Sequence, residues 1–234
     1  MDDSRPIETP VTRLADFGHR AGRVALTFDD GPQPPWTGEV LDILEDTGCP
    51  ATFFVLGSQI RGNERTLRRM TDLGCAVEVH AWDHIRMTEQ DPEQRRRDID
   101  RTRALIREVT GHEPTAVRPP DGRVSVAVLD AIRAAGLIPA FWSVHARDWT
   151  RPGVEAIESG VSSALADGAV VLLHDGGGDR SQTVAALPRV IKAIRDLGLR
   201  AVSLTPVTAS QTVSPAVSPG VSPTVSPASA ATDE

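Results

Sequence analysis

Three short stretches of this chain place carboxylates and imidazoles at spacings that suit a divalent cation. Asp29 and Asp30 stand side by side in Thr27-Phe28-Asp29-Asp30-Gly31-Pro32. Adjacent like charges repel, and a shared cation is a common reason to keep such a pair, although an Asp-Asp before Gly-Pro serves equally as a turn or helix-cap feature. His80 and His84 form an H-x-x-x-H pair in His80-Ala81-Trp82-Asp83-His84. On one helical turn that spacing brings both imidazoles to one face, ready to share a metal. With Asp30 they make two nitrogen donors and one carboxylate with open positions, the donor set of a catalytic rather than a structural metal.

Further polar residues follow apolar runs. Arg118 opens Arg118-Pro119-Pro120-Asp121-Gly122, either as a partner that orients Asp29 or as an ordinary surface cation. Asp148 and Trp149 form a pair, and His174 closes the most apolar run of the chain in Leu172-Leu173-His174-Asp175-Gly176-Gly177-Gly178. His19 and His112 sit in polar stretches without pattern and read as surface residues. The run Arg95 to Arg97 reads as a solvated helix face.

These groups need a scaffold that brings strand ends together. Short β-branched runs alternate with amphipathic stretches, the pattern of repeated βα units. Strands are predicted at Val24–Phe28, Thr52–Val55, Ala76–Val79, Ala116–Arg118, Ile138–Trp142, Ala169–Leu173 and Arg200–Ser203. Asp91 and Pro92 start a long polar helix that Gly111 ends, and Ser125 caps another. The fold expected is α/β, a distorted or incomplete (β/α) barrel with about seven parallel strands, with an open doubly wound sheet as the alternative. In both, functional groups gather at the C-terminal ends of the strands. Residues 1–22 read as an N-terminal extension, 23–207 as the domain, and 208–234 as a disordered, Val-Ser-Pro-rich tail.

The 234 residues and 40% hydrophobic content suffice for one large core. The net charge of −7 disfavours a nucleic-acid partner. No apolar run reaches the ~20 residues of a membrane span, and no signal-like h-region is visible. The compartment stays open: secreted or wall-associated if a leader was trimmed, cytoplasmic otherwise. Cys49 and Cys75 read as buried free thiols, with a single disulfide as the alternative. A monomer is expected.

Taken together, TFDDGP, HAWDH, RPPDG, DW and LLHDGG resemble the polysaccharide deacetylases, the NodB-like domain of carbohydrate esterase family four. The resemblance runs from about Arg23 to Pro206, with the motifs in the family's order. It implies a metal-dependent hydrolase that removes N-acetyl groups from an amino-sugar glycan of the chitooligosaccharide or peptidoglycan N-acetylglucosamine class. By the same resemblance, Asp30, His80 and His84 hold one divalent metal, zinc foremost, with cobalt or another divalent ion as alternatives. Asp29 is then the general base, His174 the general acid, Asp148 the residue that tunes His174, and Arg118 the brace for Asp29. Trp149 and Leu172 wall a pocket for the acetyl methyl, and the Asp121 backbone N–H stabilises the oxyanion.

Three positions depart from the family pattern. Asp121 stands where Tyr is usual, Ala81 where Ser or Thr is usual, and His145-Ala146 where Asp-Pro is usual. A carboxylate at 121 that faced the reaction would oppose an oxyanion; facing outward it could bind a cationic group on the substrate. These changes point to a partly deacetylated or small aminated glycoside rather than polymeric chitin. Alternative functions are deacetylation of a small-molecule biosynthetic intermediate, O-acetyl xylan esterase activity, and glycan binding without catalysis.

Overall fold

The computed structural model describes residues 5, 7–10 and 12–206. The Val-Ser-Pro tail lies outside the described residues. Seven parallel strands curl into part of a barrel: β1 (Arg23–Asp29), β2 (Thr52–Leu56), β3 (Ala76–Ala81), β4 (Ala116–Val117), β5 (Ile138–Pro139), β6 (Val144–His145) and β7 (Val170–His174). Their order is β5-β4-β3-β2-β1-β7-β6, and a short β8 (Arg200–Ala201) pairs with the start of β1. The helices α1 (Trp36–Thr47), α2 (Glu64–Asp72), α3 (Pro92–Thr110), α4 (Val126–Ala134), α5 (Val154–Ser162) and α6 (Ser181–Asp196) follow or separate the strands.

Strand alternation divides the apolar residues between two cores. Val24, Leu26 and Phe28 of β1, Phe53 and Val55 of β2, and Val171 and Leu173 of β7 belong to the main core, which they share with the helices. Their neighbours Ala25, Phe54, Ala116, Ala140 and Val170 form a second cluster with Leu14, Phe17 and Leu204. The small alanines leave room for these last three side chains at the N-terminal ends of the strands. In the stretch before Arg23, Leu14–Phe17 is a 3-10 turn that buries Leu14 and Phe17, and the Leu14 N–H donates to the Gly168 carbonyl.

Helix ends follow their sequence signals. The Asp91 carboxylate accepts from the Gln94 N–H, Pro92 opens α3, and Gly111 closes it in the left-handed conformation. Ser125 Oγ accepts from the Val128 N–H at the start of α4. Two expectations change. The strand expected over Ile138–Trp142 is ladder-paired only at Ile138–Pro139, and an unanticipated strand follows at Val144–His145. Two-residue strands are too short to carry an alternation in the sequence. Arg95 is buried rather than solvated, donating to the carbonyls of Met87, Gln90 and Ala127, while Arg96 and Arg97 are exposed.

Candidate active site

β1 and β7 are registered so that Asp29 and His174 are partners at their C-terminal ends. Directly after β4, Arg118 reaches across the barrel interior with no exposed surface. Its guanidinium donates to Asp29 Oδ1 at 2.7 Å, to Thr27 Oγ1 at 2.7 Å and to the Phe141 carbonyl at 2.8 Å. It also lies 4.0 Å above the Phe54 ring. Arg118 is a buried brace and not a surface cation. Burial pulls its pKa down against the Asp29 charge, yet a guanidinium stays protonated under any such pull.

Asp30 turns off the end of β1 at φ 76° and brings its carboxylate beneath two imidazoles. Asp30 Oδ1 lies 3.3 Å from His80 Nε2 and 3.3 Å from His84 Nε2. His80 sits on β3 itself and His84 on the bend that follows, so the pair meets across a strand-to-loop turn and not along a helix. The His80 Nδ1–H donates to the Arg118 carbonyl at 2.6 Å, which leaves Nε2 of the neutral ring as an acceptor aimed at Asp30. Asp30 Oδ1 is buried without a hydrogen-bond donor. Acceptors that face one another in this way need a cation between them, a proton or a metal. The ligand atoms of all three residues lie within 4.8 Å of one another, a compact N,N,O set that fits a divalent ion. Burial raises the Asp30 pKa, but a protonated His80 donating to it, with the charges of His174 and His84, would outweigh burial and hold the carboxyl well below its ordinary range.

His174 is oriented from behind. Its Nδ1–H donates to Asp148 Oδ1 at 2.8 Å, and its backbone N–H donates to Asp148 Oδ2 at 2.9 Å. Thr183 Oγ1 donates to the same Oδ2 at 2.9 Å. Nε2 is thereby left as the free ring position. Burial lowers the His174 pKa, but the Asp148 hydrogen bond and the charges of Asp148, Asp29 and Asp30 outweigh it and raise it overall. Trp149 stands edge-on to His174 with centroids 5.3 Å apart, and His145 stacks on the other side of Trp149 at 5.6 Å.

A buried staple ties the turn after β1 to the turn after β7. Thr37 Oγ1 accepts from the Gln33 N–H and donates to Asp175 Oδ2 at 2.6 Å, while Gln33 Oε1 accepts from the Gly177 N–H at 2.8 Å. The packing is close here: a Cβ on Gly31 would collide with Asp175 Oδ2, and one on Gly176 would collide with the Asp30 carbonyl oxygen. Burial, helped by Asp30 and Asp29 against the Thr37 hydrogen bond, pushes the Asp175 carboxyl up to about 7.

Asp29, Asp30, His80, His84, Asp121, Trp149, Leu172 and His174 all line one cavity of about 330 Å³, within the range of small-ligand sites. Arg118 and Asp148 stand behind its wall. Trp142 also lines it and had no role assigned from sequence, because it reads as the end of a strand. His19 and His112 are half-buried and lie elsewhere.

A parallel barrel with an N,N,O ligand set, a braced carboxylate and an oriented imidazole at its C-terminal end suits metal-assisted hydrolysis, and comparison with known proteins agrees. The polysaccharide deacetylase family model matches residues 18–140. The peptidoglycan-N-acetylglucosamine deacetylase of Bacillus cereus is 37% identical over 184 residues, covering 78% of this chain and 86% of that one. The chitooligosaccharide deacetylase of Sinorhizobium fredii is 39% identical over 202 residues, covering 80% and 92%. A family 4 acetyl xylan esterase from Clostridium thermocellum, solved with a cobalt ion, superposes with a TM-score of 0.73 at 32% identity, covering 77% and 87%. The chain belongs to the polysaccharide deacetylase family and is a hydrolase of the deacetylase type.

Proposed function

We propose that this enzyme removes the N-acetyl group from an N-acetylated amino-sugar glycan of the chitooligosaccharide or peptidoglycan N-acetylglucosamine class, releasing acetate and a free amine. The observation that carries the reading is the meeting, in one cavity, of a braced carboxylate and an oriented imidazole on either side of an N,N,O ligand set. Asp30, His80 and His84 would hold a divalent metal, zinc foremost, which supplies Lewis acidity toward the amide carbonyl and toward water.

The protein's own groups handle the protons. Asp29, with one oxygen held by Arg118, takes the proton of the attacking water through the other. The Asp121 N–H, on the turn after β4, donates to the carbonyl oxygen as negative charge develops there. His174 Nε2, whose pKa is raised because Asp148, Asp29 and Asp30 together outweigh burial, gives its proton to the departing nitrogen. Leu172 and Trp149 line the side of the cavity suited to the acetyl methyl, and Trp142 adds a second aromatic wall. A site of this breadth takes a sugar unit at its mouth and one acetyl group in its depth.

The test is acetate release from chitooligosaccharides of several lengths, peptidoglycan, acetylated xylan and monomeric N-acetylglucosamine, with chelator and with added zinc or cobalt. Chelator-sensitive release from an amino-sugar member is expected, with Asp29→Asn or His80→Ala at least ~10²-fold slower. Release from acetylated xylan alone would reassign the same machinery to ester cleavage, as in the esterase named above. Absence of release from every member would reject the glycan reading in favour of a small acetylated intermediate.

A further inference from the structure

Asp121 is a third carboxylate on the cavity wall, beside Asp29 and Asp30. It sits at φ 58° in the tight turn after β4, a conformation in which residues other than glycine are uncommon. Left free, its charge would stand near the oxygen that becomes negative during amide hydrolysis. Charges a few ångströms apart at a partly solvated site interact strongly enough to change a rate severalfold.

Its carboxylate is not free. Arg86, two residues past His84 on the bend after β3, donates from Nε to Asp121 Oδ2 at 2.6 Å. A second donor of the same guanidinium, Nη1, reaches Glu89 Oε1 at 3.1 Å and aims the side chain along the rim. Arg86 itself does not line the cavity. The pair thus bridges the two loops that carry His84 and the Asp121 N–H. Exposed ion pairs of this kind contribute little to stability, with side chains here 45% and 38% exposed. Global stability therefore offers little reason for the pair, whereas its place at the mouth offers a local one.

We propose that Arg86 is a positioning residue that neutralises the Asp121 carboxylate and holds it at the rim, so that the turn can present its backbone N–H to developing negative charge without opposing it. This rests on the deacetylase reading above. It also bears on substrate choice: with Arg86 in place, Asp121 is not available to recruit a cationic group, and the rim favours a neutral sugar.

The experiment compares Arg86→Ala, Asp121→Asn and the double variant by kcat and KM on a chitooligosaccharide, zinc-loaded, at low and high salt. Arg86→Ala is expected to lower kcat by roughly 5- to 20-fold, with a smaller change in KM. Adding Asp121→Asn to Arg86→Ala should restore most of that loss, because the unpaired charge is gone. High salt should shrink the Arg86→Ala defect by screening the same charge. A double variant as slow as Arg86→Ala would mean that Arg86 only tethers the loop and would overturn the proposal, as would an Arg86→Ala enzyme equal to the unmodified one. An unmodified enzyme without chelator-sensitive release would instead sink the deacetylase reading itself, and this inference with it.

Discussion

Away from the Asp30 cluster, a histidine meets a fully buried carboxylate at His112–Glu78 and at His174–Asp148, and the two pairs do different things. Glu78 lies on β3 two residues before His80, on the same inward face, and has no exposed surface. It accepts from the backbone N–H groups of Thr115 and Ala116 at 2.7 and 2.8 Å and from Thr115 Oγ1 at 3.1 Å, with His112 Nε2 a distant fourth partner at 3.4 Å. Asp148, by contrast, spends one oxygen on the His174 ring and turns that ring's far nitrogen toward a cavity. Residue types are nearly the same in both. What separates them is where the remaining valences point: into backbone for Glu78, into open space for His174. A buried carboxylate saturated by main-chain donors is a strand clamp, and one that leaves its partner's distal atom free is chemical equipment.

The contrast has measurable consequences. His174→Ala should lower turnover by about 10²–10⁴-fold while leaving a folded protein, since a positioned acid typically contributes that much; equal losses in His174→Ala and His112→Ala would erase the distinction. Glu78→Ala should do the reverse, destabilising by about 2–4 kcal/mol because two buried N–H groups lose their acceptor. Denaturant unfolding reads the loss, and turnover per folded molecule below the transition should stay within about 2-fold of normal.

Asp148→Asn separates orientation from charge. The raised His174 pKa keeps that imidazole protonated as the pH rises, so activity should fall on the alkaline side as the pH passes through it. Without the Asp148 charge, one of the influences that raise the His174 pKa against burial is lost and the alkaline limb should move to lower pH; a limb that stays in place would assign it to another group. The smallest effect belongs to His112→Ala, where a long contact to an already saturated carboxylate predicts about 0–1 kcal/mol in unfolding and no change in turnover.

Much of this site could be read before any coordinates. Charged residues at strand ends following strongly apolar runs are hard to explain otherwise, and Asp29, Asp30, His80 and His174 all lie at strand ends and line the cavity, while His84 reaches it from a bend and not from the helical turn expected. Arg118 was ambiguous in sequence because an arginine after a strand is ordinary on a surface; its burial depends on Thr27, Asp29 and Phe141, none of them near in the chain. Trp142 and Arg86 stayed hidden for related reasons. Trp142 looks like a strand residue, and the partner of Arg86 lies 35 positions away on another loop. The staple through Gln33, Thr37 and Asp175 is likewise long-range, with Thr37 and Asp175 138 positions apart. The α3 arginines misled differently, because the charge run looked uniform while only Arg95 faces inward.

The plug built from Leu14, Phe17 and Leu204 gives the molecule a polarity. The described C-terminal end is anchored at the floor, with Leu204 fastened through its N–H to Thr52 Oγ1 and Thr205 lining a hollow beside Cys75 and His112, whereas Ile7 and Thr9 run up to Val124 and Gly122 near the mouth. The cavity mouth, with Asp30, His80 and His84, opens at the opposite pole. The chain thus leaves the described fold at Pro206 on the side of the molecule away from the cavity.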